Sequence, residues 1–222
     1  MNTMFTGCWH GHPEPPPILI YPRAARVDQV DDYHGTKVAD PYRWLEDDNS
    51  DATKAWVEAE NKVTFDFLDK IPERAAIRER LTQLWNYERF SIPGKEGGRY
   101  FLTRNDGLQN QGVLYVMDSL SAEPRLLLDP NTLSADGTVA LTSTSISHDG
   151  NLVAYGLAKA GSDWEDFKVR DVRTGQDLPD EIHWVKFSGA SWTKNNDGFY
   201  YSRFDEPKPG DQPGDPREIG GQ

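Results

Sequence analysis

Acyl transfer at a serine calls for a Gly-x-Ser-x-Gly elbow, because only small flanking residues permit the strained strand-to-helix turn that exposes the hydroxyl. The nearest string here is Gly189-Ala190-Ser191-Trp192-Thr193. It lacks the closing glycine and stands among strand-forming residues, so Ser191 reads as structural. His34, His148 and His183 have no serine placed for them by any motif, and no nucleophile–base–acid set can be assembled. Gly94-Lys95-Glu96-Gly97-Gly98 is glycine-rich but has neither the spacing of a phosphate-binding loop nor a Ser/Thr and helix after it, and reads as a hairpin turn.

Metal chemistry fares no better. Cys8, His10 and His12 lie close together, yet a closed zinc site needs four ligands and no second pair follows at finger spacing. Glu46-Asp47-Asp48 and Asp31-Asp32 lack the alternation and glycine of a calcium loop and read as solvated surface. The sequence therefore calls for no cofactor and no metal.

The elements that would have to position any such group fall into two halves. At 36% hydrophobic and 27% charged residues, with no apolar run of membrane length, the 222-residue chain has material for a core and none for a span. A formal charge of −12 and the lack of a basic stripe exclude nucleic acid as a partner. A single cysteine, and an N-terminus without a basic and apolar signal pattern, point to the cytoplasm.

Residues 1–20, with Pro13, Pro15, Pro16 and Pro17, read as a disordered leader. From Asp51 the apolar period is helical: Ala52, Trp56, Ala59, Val63 and Phe67 share one face behind an N-cap at Asn49 or Ser50. Pro72 breaks the helix, and Ile77, Leu81, Leu84 and Trp85 restart the stripe. Both apolar faces carry a tryptophan and need a surface to bury against, which this chain does not visibly supply.

After Tyr87 the pattern changes to strands at Tyr100–Leu102, Val113–Val116, Leu126–Leu128, Leu152–Tyr155, Phe167–Val169 and Phe199–Tyr201. A turn-then-strand unit recurs at Gly98, Gly150 and Gly198, which stand 52 and 48 residues apart. That interval fits four-stranded propeller blades, and strands of this length also suit a sandwich. The fold class is thus mainly β with an N-terminal α segment, divided as a leader (1–20), a helical segment (21–87), a strand-rich region of about two blades (88–206) and a polar loop or truncated tail (207–222).

The strings Asp32-Tyr33-His34-Gly35, Val38-Ala39-Asp40-Pro41-Tyr42-Arg43-Trp44-Leu45-Glu46-Asp47 and Trp56-Val57-Glu58-Ala59-Glu60-Asn61 resemble the N-terminal segment of the prolyl oligopeptidase family of serine peptidases. The likeness continues through Gly107-Leu108-Gln109-Asn110-Gln111, Gly161-Ser162-Asp163-Trp164 and Val185-Lys186-Phe187-Ser188, and covers about residues 21 to 205. Oligopeptidase B, a related enzyme cutting after basic residues, shares the Asp-Pro-Tyr-x-Trp-Leu-Glu opening and is expected to differ at the later strings.

The resemblance implies an incomplete seven-bladed β-propeller preceded by the N-terminal helical segment of an α/β-hydrolase domain. It further implies a serine-type endopeptidase that cuts short peptides after proline, with the propeller excluding folded proteins. The helices would pack on a C-terminal hydrolase domain that this chain lacks, and all triad members would lie there, so the chain alone is expected to be inactive. Phe187 would line the apolar subsite beyond the proline pocket, and Asp163 would face the inter-domain cavity. Without the resemblance Phe187 reads as a core strand residue and Asp163 as a turn cap. A catalytically silent propeller that binds partners is the competing reading, with an oligopeptidase B-like peptidase as a third.

Overall fold

The computed structural model describes residues 18–206. Cys8, His10, His12, nearly all of the expected leader, and the polar segment from Pro207 lie outside them. The chain divides into two compact units, residues 1–80 and 81–222, with the boundary inside the second helix.

The first unit opens with an antiparallel hairpin of β1 (Val30–Tyr33) and β2 (Thr36–Ala39). Its two-residue turn, His34-Gly35, is left-handed at both positions, the geometry that matches strand twist. Arg43, in a 3-10 turn spanning Arg43–Glu46, bonds the carboxylates of Asp31, Asp40 and Glu46; a hydrogen bond with Tyr33 first, and then these carboxylates, raise its pKa against the opposing effect of burial. Helix α1 (Asp51–Leu68) starts at Ser50, whose hydroxyl accepts the Thr53 N–H at 3.2 Å. Thr53 is buried and donates to the Trp44 carbonyl at 3.0 Å, so cap and preceding turn are one assembly. Trp56, Ala59, Val63 and Phe67 fall on the half-buried face, as their spacing requires; Ala52 is exposed. Helix α2 (Arg74–Trp85) follows the Pro72 break, and its stripe is about half exposed, with Ile77 at 54% and Trp85 at 62%.

The second unit is built of sheets. β3 (Arg89–Phe90) and β4 (Gly94–Glu96) are two pieces of one interrupted strand, both paired with β5 (Arg99–Asn105). Pro93, which has no N–H for a ladder, stands in the gap. β6 (Val113–Met117) and β7 (Arg125–Leu128) complete an antiparallel meander. The second meander runs β8 (Val139–Ile146), β9 (Leu152–Lys159), β10 (Glu165–Asp171) and β11 (Asp177–Val185), with neighbours in sequence paired throughout. β12 (Ser191–Trp192) and β13 (Phe199–Tyr200) open a third. Consecutive four-stranded meanders without strand exchange are blades, and the described residues contain two and the first hairpin of a third. The first strands β4, β8 and β12 share the lining of a depression of about 470 Å³.

β8 and β11 are the long strands without an apolar string in the sequence. β8 carries only Val139, Leu141 and Ile146 as large apolar residues among Ala, Thr and Ser, and β11 carries Pro179 and four charged or ionisable residues among Asp177–Val185, as befits an outermost strand with a free edge.

The core lies between the first two blades. Phe101, Leu114, Val116, Leu127 and Leu128 of one face Val153, Tyr155, Leu157 and Val172 of the next. A smaller cluster of Ala154, Val169 and Trp192 joins the second blade to the third. Side chains stitch backbone across these seams. Arg99 donates to the Gly150 carbonyl at 2.8 Å, Arg125 to Val172 at 2.6 Å, Arg170 to Leu127 at 2.9 Å, and the Trp192 indole to Ser145 at 2.9 Å.

Glycine does what a side chain could not. Gly97 and Gly150, in the first hairpin turns of the two blades, have positive φ and touch backbone to backbone; a Cβ on Gly97 would lie 1.8 Å from the Asp149 carbonyl oxygen. The recurring turn-then-strand unit is thus the contact between successive blades.

Tyr155 is 1% exposed, and its hydroxyl makes no hydrogen bond of full geometry among the described residues, only weaker approaches to Asp177 and Arg170. Burial, helped by the Asp177 carboxylate, pushes the phenol up to about 12, so it stays neutral. A buried hydroxyl with only weak polar company contributes little net stability. Tyr155→Phe is therefore expected to change unfolding stability by less than about 1 kcal/mol, whereas Tyr155→Ala, which empties the core, lowers it by about 3–5 kcal/mol. Urea unfolding at equilibrium reads both.

Candidate peptide-binding face

Strand register fixes which loops share an end. Glu165 pairs with both Ala158 and Val185, and Val139 pairs with Lys159. Loop 160–164 and the exit segment 186–190 therefore leave the second blade at one end, opposite the glycine turns. Loop 106–112 of the first blade reaches the same end through Gln111. Its side-chain amide donates to the Val139 carbonyl at 2.7 Å and accepts the Leu141 N–H at 2.8 Å, acting as an added rung on β8 beside its bulge. Asn131 holds Gln111 in turn through two bonds of 3.0 Å to its backbone.

Trp164 organises this end. Its ring meets Trp184 and Phe204 edge-on, at centroid distances of 5.8 and 5.6 Å, and the Lys186 ammonium lies 4.9 Å from its centroid. The same ammonium is 5.3 Å from the Phe187 ring. Trp184 and Phe187 both have left-handed backbones, at φ 63° and 53°, which is strained for bulky side chains. Bonds between Phe204 N–H and the Trp184 carbonyl (2.9 Å), and the bridge from Val185 to Arg203, hold the segment in that shape.

Phe187 is 82% exposed. The core position that a strand phenylalanine would occupy is not its place; the left-handed backbone turns the ring outward, and Val185, two residues before, takes the fully buried site. Asp163 is exposed and makes no hydrogen bond or ion pair to the described residues. The turn is capped instead by Ser162, whose hydroxyl accepts the Trp164 N–H at 3.1 Å. Both residues stand at the same end of the blade with groups free to meet a ligand.

Beside them lies a depression of about 380 Å³ lined by Trp164, Trp184, Asp166 and His183 among others. Asp166 accepts from His183 Nδ1 at 2.7 Å and from Lys159 at 3.1 Å. Burial opposes its charge, but these two donors outweigh burial and hold the carboxyl below its usual range.

Ser191 is a β12 residue paired with Tyr200, and none of His34, His148 and His183 bonds a serine among the described residues. Lys186 and Trp184 were not legible as site residues, because what distinguishes them is a positive φ and a ring contact. Gln111 had a signal only as part of a string.

The family description "Prolyl oligopeptidase, N-terminal beta-propeller domain" matches residues 22–216. The chain is 45% identical over 193 residues to a prolyl endopeptidase of Elizabethkingia meningoseptica, covering 87% of this chain and 27% of the relative. It is 34% identical over 234 residues to a prolyl endopeptidase of Dictyostelium discoideum, covering 85% and 31%. Among solved structures, one from a structural and mechanistic analysis of two prolyl endopeptidases superposes with a TM-score of 0.78 at 34% identity, covering 85% and 28%. Prolyl oligopeptidase B from Galerina marginata, bound to a 35mer hydrolysis and macrocyclization substrate, gives 0.74 at 31%, covering 84% and 30%. This chain spans less than a third of the length of these relatives.

Proposed function

This chain belongs to the prolyl oligopeptidase family, and from that premise we propose that it is the N-terminal part of a cytoplasmic serine-type prolyl endopeptidase that hydrolyses short peptides after proline. Residues 21–87 form the N-terminal segment of its peptidase domain and 88–206 its opening blades, and the nucleophile, base and acid belong to a C-terminal hydrolase domain. The half-exposed stripe Ile77, Leu81, Leu84 and Trp85 is the surface that domain covers. No helix of the described residues is long and apolar enough to cross a membrane.

The observation that carries this reading is the outward Phe187. A phenylalanine held in a strained backbone and left 82% exposed is costly unless something apolar covers it. In the proposed enzyme that is the peptide side chain beyond the proline pocket. Asp163, unpaired at the same end, sets the charge preference.

The test compares the isolated chain with a chimera in which it replaces the matching N-terminal part of the Elizabethkingia relative. On a Gly-Pro chromogenic peptide amide, the chimera is expected to turn over and the isolated chain to give none. Turnover by the isolated chain that a serine-directed phosphonate abolishes would overturn the reading, as would a folded chimera that cleaves after arginine or lysine only.

A further inference from the structure

We propose that Asp166, Glu181 and His183 form a binding site for a divalent cation of borderline softness, of which Zn²⁺ is the type. The arrangement follows from the sheet. Lys168 pairs with Glu181 and Phe167 with Ile182, and a bulge between Glu165 and Phe167 brings Asp166 alongside His183. Residues 181 and 183 share a face of β11, and 166 lies on the same face of β10. One donor atom from each of the three residues lies within 4.8 Å of the others.

Donors around a zinc ion stand about 2.0–2.2 Å from it, so three such atoms need close by less than about an ångström each to coordinate. One imidazole nitrogen with two carboxylate oxygens suits a borderline ion better than Ca²⁺ or Mg²⁺, which take oxygen alone. The site is also concave: Asp166, Glu181 and His183 all lie in the depression walled by Trp164 and Trp184.

The neighbouring cations occupy the outer sides of the carboxylates. Lys159 bonds Asp166 Oδ2 at 3.1 Å while His183 bonds Oδ1, and Lys168 bonds Glu181 Oε1 at 3.3 Å. Glu181 thus keeps one oxygen for a metal, while at Asp166 an ion would take the place of the proton shared between His183 Nδ1 and Oδ1. Lys159, on a 70% exposed side chain, is the competitor for Asp166.

Calorimetric titration of ZnCl₂ into the full chain tests this, with Cys8→Ser, His10→Ala and His12→Ala in the background because those residues are donors themselves. One ion is expected to bind, with a zinc-dependent rise in melting temperature. His183→Ala, Asp166→Asn and Glu181→Gln should each weaken it by at least about tenfold, the loss seen when even an outer partner of a metal site is removed. His148→Ala should leave it unchanged, and Lys159→Met should tighten it several-fold by removing the competitor. Far-UV circular dichroism of each variant without metal separates loss of a ligand from loss of fold. Failure of Zn²⁺ to bind, or binding that persists undiminished in a folded His183→Ala variant, overturns the assignment.

Discussion

Gly97→Ala is expected to lower unfolding stability by about 3–4 kcal/mol, the largest effect of any single methyl added to the sheets. Two costs combine. Alanine at φ 52° loses about 1–2 kcal/mol against glycine, and overpacking a fixed neighbour adds about 1–3 kcal/mol. The neighbour is the Asp149 carbonyl at 1.8 Å from the added carbon, which is backbone and cannot rotate aside. Gly98 provides the internal control. Its φ is 83°, but nothing lies within 4 Å of its would-be Cβ, so Gly98→Ala should cost only the backbone part. Urea unfolding of the two variants distinguishes a blade contact from ordinary turn strain: equal losses would show that the turns do not press on each other.

Phe187→Ala, made in the chimera with the catalytic part, is expected to lower kcat/KM for a peptide with an apolar residue two positions before the proline by about tenfold to a hundredfold. That range corresponds to the roughly 1.5–3 kcal/mol gained when an aromatic side chain is buried. Folding stability should barely move, because the ring is already 82% exposed. A dipeptide amide too short to reach the ring should be cut at the parental rate. Equal loss on long and short substrates would instead place Phe187 in the inter-domain packing and remove it from the substrate path.

The helices and the blade period were legible because each rests on a repeating apolar interval. Trp56, Val63 and Phe67 declared α1, Ser50 its start, and Gly98, Gly150 and Gly198 the first hairpin of each blade. β8 and β11 were not legible, since one relies on Thr and Ser and the other holds an outer edge with Pro179 and charges. The proposed binding face divides the same way. Phe187 and Asp163 could be proposed from strings, but the outward turn of the ring depends on a left-handed backbone at a phenylalanine, which no local rule favours. Trp164 acts through Trp184 and Phe204, 20 and 40 residues away, and the Asp166–His183 pair through a bulge; such proximity exists only once the strands are in register.

The arginines that join the blades bind neutral carbonyl oxygens of the neighbouring sheet. Attraction between a charge and a dipole at contact range falls off too steeply for a salt atmosphere to weaken it much, unlike the exposed Lys62–Asp66 pair on α1. A rise in ionic strength that dissolves the surface pairs would leave these joints in place, so a strongly anionic chain keeps its blades together in media where its outer charges no longer sense one another.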